Sequence, residues 1–187
     1  MAEVVEINLI SACILNTEMI FQFIKKEVEI EKNSQIVEVM DNWEHKNSYV
    51  INSEENLQNL INSKIVCITE KTTDGYVGVD IEKVNGKFCY TIWFNSLKYE
   101  TIENYHQLIQ KFTVFANELS EDFILCAIGK EVIFEYQDNF NKLLNNSHNI
   151  DIWICSEHIF KNTKEILCSK LMNYEIRKTG NYVILKK

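Results

Sequence analysis

The sequence contains no proline and only 5 glycines among its 187 residues. Linkers between domains are usually rich in proline, glycine or serine, so no linker is indicated. The few glycines also do not form either pattern, G-x-x-x-x-G-K-[ST] or G-x-G-x-x-G, that commonly holds nucleotide phosphates. These absences favour one domain over residues 1–187 and argue against a glycine-rich nucleotide loop.

Signals for export, membrane insertion and paired cysteines are also missing. The opening segment, MAEVVEIN, is acidic where a secretory signal would be basic, and no apolar run approaches the ~18 residues of a membrane span. The six cysteines lie singly in apolar runs, without a C-x-x-C pair. Because reduced, buried cysteines are typical of the cytosol, we expect a cytoplasmic protein that does not bind membranes.

Positive charge is scarce and unevenly placed. The net charge is −8. Residues 1–157 carry 25 acidic and 12 basic side chains, whereas residues 158–187 carry 2 and 7. Most of the molecule should therefore repel nucleic acid, and the basic segment can offset the acidic body. Lysine outnumbers arginine eighteen to one, a bias typical of AT-rich bacterial or phage genomes.

Hydrophobic residues make up 46% of the chain, enough for a core, and their periodicity predicts both helices and strands. The predicted helices cover residues 17–30, a segment capped at Ser53, residues 100–120, part of 138–146, and 157–172. The predicted strands cover residues 3–12, 34–43, 47–51, 64–71 and 149–156, two strands around Gly129-Lys130, and a hairpin over 174–187. We therefore predict an α+β fold, a mostly antiparallel sheet with packed helices, with a loose two-part organisation near residues 85–95.

The segment GYVGVDIEKVNGKFCYTIWF, residues 75–94, predicts a β-hairpin. Asn85-Gly86 between two alternating runs is a strong signal for a two-residue type I′ turn. The turn sets Val84 opposite Lys87, which in turn sets Gly78 opposite Trp93. An indole in that position can cover the bare backbone of a strand glycine.

The second face of this hairpin carries Tyr76, Asp80, Glu82 and Trp93. A helix could cover this face, which would place Trp93 in the core. If the face is partly open, an aromatic side chain ringed by acids suits a protein-binding surface. In the first alternative Trp93 serves only the core, and in the second it can contact a partner protein.

No local pattern predicts a catalytic residue, a metal site or a cofactor. In SHNIDIWICSEH, an extended strand would hold His148 roughly 20 Å from Cys155, too far to share one ion. No Cys–His pair has a local signature of nucleophilic catalysis. Asp80 and Glu82 lie about 7 Å apart on one strand face, which suits acid–base work but is also usual for a solvated surface.

An acidic, rigid surface can imitate nucleic-acid phosphate and bind a basic protein. The predicted partner-binding residues are Trp93, Tyr76, Asp80 and Glu82, with Trp43, Asp41 and Glu44. In overall character, as a small, acidic, cytosolic α+β chain without catalytic signatures, the sequence resembles bacterial immunity proteins that neutralise toxins. The resemblance implies stoichiometric binding of a basic toxin or effector.

Three alternatives stay open. A phage-encoded inhibitor of a host defence protein would share the same physical character. A Cys/His- or carboxylate-dependent enzyme could lack a local motif. A structural or regulatory protein could use exposed apolar surface for self-association.

Overall fold

The computed structural model describes residues 3–48, 54–119, 123–137, 139–179 and 182–187. The strands are β1 (Val5–Ser11), β2 (Ile36–Asn42), β3 (His45–Ser48), β4 (Ile65–Thr72), β5 (Gly75–Val84), β6 (Lys87–Ser96), β7 (Phe123–Ile133), β8 (His148–Ser156), β9 (Glu175–Thr179) and β10 (Tyr182–Lys186). The helices are α1 (Thr17–Glu27), α2 (Glu54–Ser63), α3 (Ile102–Ala116), α4 (Phe140–Asn146) and α5 (Glu157–Lys170), with a 3₁₀ turn at Leu97–Glu100.

The ten strands form one sheet in the order β3-β2-β4-β5-β6-β1-β7-β8-β10-β9. Every pairing between them is antiparallel. The predicted α+β class and its mostly antiparallel sheet are confirmed. The extent of the domain over residues 1–187, with its loose division near 85–95, stays a prediction.

The predicted hairpin is confirmed in its register. Val84 pairs with Lys87, and Gly78 pairs with Trp93. Asn85 and Gly86 have φ angles of 50° and 78°, as a type I′ turn requires. Strand β4 pairs with β5 and so extends the hairpin into a three-stranded antiparallel meander, with Val66 opposite Ile81.

The sheet has a different helical cover on each face. Helices α1, α2 and α3 pack on one face, where Phe23, Ile61 and Phe112 join the inward side chains of β1 and β4–β6. Helices α4 and α5 pack on the opposite face, where Leu143 and Phe160 meet side chains of β7, β8 and β10. The second face is thus covered over β7, β8 and β10.

Asn16 caps α1, because its Oδ1 accepts a hydrogen bond of 3.2 Å from the Met19 amide. The helix ends at Glu27 rather than near Ile30, because Val28 is already extended. Strand β3 begins at His45, two residues before the predicted strand, and residues 49–51 lie outside the described ranges. The predicted cap at Ser53 also lies outside them.

The prediction of two strands around Gly129-Lys130 is wrong, because β7 runs without a turn from Phe123 to Ile133. The β7–β8 pairing instead shifts register on either side of Gly129. A Cβ atom at position 129 would lie 1.9 Å from the Asn149 carbonyl oxygen. The glycine therefore permits a close backbone approach at a bulge rather than a turn.

Candidate functional site: an acidic open face of the sheet

Among the described residues, one part of the sheet's second face is built from strands alone, and we call it the open face. It is defined by Glu6, Asp80, Glu82, Thr91 and Trp93, which β1, β5 and β6 direct to this side. All five side chains are partly accessible. Next to them, Met40, Ile65 and Cys67 form a small buried cluster to which only strand residues contribute among those described.

Trp93 occupies the middle of the open face. It pairs with Gly78 on one side and with Glu6 on the other. Its indole lies over Gly78, since a Cβ atom there would be 2.3 Å from Trp93 Cζ2. The half-buried indole thus lies beside a bare backbone on β5 and pairs with a carboxylate-bearing residue on β1.

The next row of side chains is polar. Asp80 pairs with Thr91, which pairs with Asn8. The Thr91 hydroxyl donates a hydrogen bond of 2.8 Å to Asn8 Oδ1. Asn8 is buried, so this hydrogen bond holds the Thr91 side chain in place next to the carboxylates.

Two carboxylates of the open face, those of Glu6 and Glu82, have a raised pKa. The pKa of Glu6 rises to about 7, mainly because the group is partly buried and further because Glu131 and Asp80 lie nearby. Burial also raises the pKa of Glu82, and Asp80 adds to the effect. Such mutual repulsion means that a cation placed here would be favoured, since it would stabilise the charged forms.

Trp43 extends the open face toward the edge of the sheet. It lies in the turn between β2 and β3, is 54% exposed, and its Nε1 donates a hydrogen bond of 3.2 Å to Glu82 Oε2. A cavity of about 300 Å³ lies beside them, bordered also by Asp41 and by the end of α2. Asp41 forms an ion pair with Lys64.

The structure therefore brings most of the predicted partner-binding residues together. Trp93, Asp80 and Glu82 share the open face, and Trp43 and Asp41 border it. Tyr76 is on the same side of β5 and 46% exposed, but lies roughly 20 Å along the strand from Glu82. Glu44 is exposed, and its amide bonds Asn42 Oδ1. Their roles in binding stay predictions.

Sequence reasoning missed Glu6. The alternation in β1, with buried Val5, Ile7 and Leu9, would have placed Glu6 on the opposite side of its strand. The position of β1 between β6 and β7 places this carboxylate next to Trp93 and Glu131. No local feature of the sequence indicates that position.

Three buried cysteines do not favour nucleophilic chemistry at their positions. Burial raises the pKa of Cys89 and of Cys155 to about 12 and raises that of Cys126 well above its usual value. A thiol with a raised pKa is rarely ionised and is a poor nucleophile. Within the described ranges, no three His, Cys, Asp or Glu side chains are placed to hold one metal ion.

No described helix is both long enough and apolar enough to cross a membrane. No protein-family model matches the chain. No curated protein matches it either.

Part of the chain resembles a solved structure. It is the 1.75 Å crystal structure of the toxic C-terminal tip of CdiA from Pseudomonas aeruginosa in complex with immune protein. The matched chain is 17% identical and gives a TM-score of 0.42, over 70% of this chain and 88% of that chain. No family is assigned from this likeness.

Proposed function

We propose that this chain is a cytoplasmic bacterial protein that neutralises a basic partner protein, such as a toxin, by stoichiometric binding. The observation that carries the proposal is the open face, where Asp80 repels both Glu6 and Glu82 beside Trp93 and Trp43. A lysine or arginine side chain of a partner would relieve that repulsion. The adjoining tryptophans would supply apolar contact area.

The rigid support of this surface also favours binding. The carboxylates and Trp93 stand on three neighbouring strands of a continuous sheet, so little conformational entropy is lost when a partner docks. The overall charge of −8 would speed the encounter with a basic partner. All six cysteines are free thiols, which fits a reducing compartment.

The experiment is capture of partners from lysate of the source organism on the immobilised protein, followed by elution in rising salt and identification by mass spectrometry. The D80K/E82K variant reverses two charges on the open face and changes the net charge from −8 to −4. The matched control is E18K/E103K, which makes the same change at two exposed positions on α1 and α3.

The expected result is one basic protein that is released only at high salt, is retained by E18K/E103K and is lost by D80K/E82K. Equal retention by both variants would place the interface elsewhere. Equal loss would mean that net charge alone, and not the open face, drives the association. Capture of no protein at any salt would contradict the proposal for the proteins in that lysate.

A further inference from the structure

A groove lies on the other side of the sheet, between the end of α1 and strand β4. Its volume is about 560 Å³, and it is lined by residues 28–35 together with Lys25 and Glu70. The groove is separate from the open face, because Glu70 follows Val66 and Ile68 in alternation and both of these face the helix-covered side. An inference about this groove does not rest on the proposed function.

Glu70 is the unusual residue of the groove. It is only 5% exposed, and its Oε1 accepts a hydrogen bond of 3.1 Å from Gln35 Nε2. Its Oε2 is buried and accepts no hydrogen bond from the described residues. A buried acceptor without a donor is costly, so a carboxylate in this position favours a ligand that supplies one.

The wall of the groove is fixed in place. The Glu31 amide donates a hydrogen bond of 2.9 Å to the Lys71 carbonyl, and the Lys71 amide donates one of 3.0 Å to Ser34 Oγ. Lys71 and Glu31 also form an ion pair of 2.9 Å. By contrast, Gln35, which donates the hydrogen bond to Glu70, is exposed, and Glu70 itself lines the groove.

The charges of the groove favour a cation. Three carboxylates line it, those of Glu29, Glu31 and Glu70. Lys25 and Lys32 also line it, but the two lysines, Glu29 and Glu31 are all exposed, so water screens their charges. Glu31 is also already paired with Lys71, which leaves Glu70 as the buried charge of the described lining. An anion would meet a buried carboxylate with one unpaired oxygen, whereas an ammonium or guanidinium group would supply both the opposite charge and the N–H donors.

We propose that this groove binds a guanidinium or ammonium group, with Glu70 as its counter-ion. Such a group can come from an arginine or lysine side chain of a peptide, or from a free cationic amino acid. In both cases the same cationic group pairs with Glu70. The peptide and the free amino acid differ only in what is attached to that group.

The test is a titration of the ¹⁵N-labelled protein, followed by amide chemical shifts. The probes are a capped Gly-Arg-Gly peptide, free L-arginine, and a capped peptide with neutral citrulline in place of arginine. We expect the arginine peptide to shift the amides of residues 28–35 and 70 and the citrulline peptide to leave them unchanged. Binding of free L-arginine as well would indicate a free amino acid as the source, and binding of the peptide alone would indicate a side chain.

The variants E70Q and E29Q separate the buried carboxylate from an exposed one in the same groove. E70Q keeps the shape of the side chain and should weaken binding of the arginine peptide by about tenfold or more, while E29Q should bind nearly as the unaltered protein does. Q35A removes the side chain that competes for Glu70 and should bind at least as tightly.

Three results would overturn the proposal. They are no shift of these amides by any cationic probe, equal binding of the arginine and citrulline peptides, and equal affinity of E70Q and the unaltered protein. The comparison of the two peptides uses the unaltered protein, so it stands even if a variant fails to fold.

Discussion

The indole of Trp93 lies directly over Gly78, so close that a Cβ atom at position 78 would be 2.3 Å from Trp93 Cζ2 and 2.8 Å from the Ile68 carbonyl oxygen. The two residues pair across β5 and β6. The glycine therefore sets the position of the most central aromatic side chain of the open face.

G78A should lower the free energy of unfolding by about 1–3 kcal/mol, because the added methyl group must displace the indole and crowd the Ile68 carbonyl. Urea unfolding of G78A, W93A and the double variant would measure the change in the free energy of unfolding. The two changes should not be additive, since each removes the same contact. A G78A variant as stable as the unaltered protein would show that the indole does not rest on this backbone.

The raised pKa of Glu6 predicts a pH-dependent stability. Its pKa is about 7 in the folded protein, against 4.5 for an unperturbed glutamate. Between these values the folded state binds more protons than the unfolded state, so stability is present below about 4.5 and is lost as the pH rises through about 7. E6Q should therefore raise the melting temperature at pH 8 and change it little at pH 4.5.

The matched control for this prediction is E18Q, which removes a carboxylate from an exposed position on α1. E18Q should leave the difference in melting temperature between pH 8 and pH 4.5 as it is in the unaltered protein. If E6Q and E18Q respond alike, the effect is due to net charge and not to the position of Glu6 between Asp80 and Glu131.

The hydrogen bond between Trp43 and Glu82 predicts that removal of the Trp43 donor changes the pKa of Glu82. Burial raises the pKa of Glu82, and the bond from Trp43 Nε1 opposes that rise. W43F removes the donor but keeps an aromatic ring, so the pKa of Glu82 should rise further. The measurement is a ¹³C NMR titration of the Glu82 carboxyl, and the same value in W43F as in the unaltered protein would mean that the bond does not persist in solution.

How much of this surface could be predicted depends on the separation of its residues along the chain. The hairpin register followed from Asn85-Gly86 alone, because a two-residue turn fixes every pair beyond it. Trp93, Asp80 and Glu82 could therefore be assigned to one face. Glu6 could not, because its neighbour Glu131 is 125 positions away and the order of the strands brings them together.

At Gly129 the sequence predicted a turn that the structure does not contain. A glycine followed by a lysine between two apolar runs is typical of a turn, but this glycine lies within β7 where the carbonyl of Asn149 approaches. Glycine is favoured both in a turn that needs a positive φ and where two backbone segments approach closely. The sequence does not distinguish them, because the approaching residue belongs to a different strand.

The ion pair between Glu27 and Lys111 carries the last prediction. It joins α1 to α3 at 2.8 Å, and the Glu27 side chain is only 5% exposed whereas that of Lys111 is 53% exposed. K111M keeps much of the apolar stem of lysine and removes its charge, which leaves a carboxylate buried without its cation. The free energy of unfolding should fall by about 2 kcal/mol.

The matched control is K71M, which breaks the ion pair of Lys71 with Glu31, where the side chains are 51% and 42% exposed. An ion pair in water contributes about 0–1 kcal/mol, so K71M should cost less than K111M. Urea unfolding of both variants in low and high salt makes the comparison. Equal costs would show that Glu27 is solvated when Lys111 is removed, and that the contact between α1 and α3 opens more easily than its burial implies.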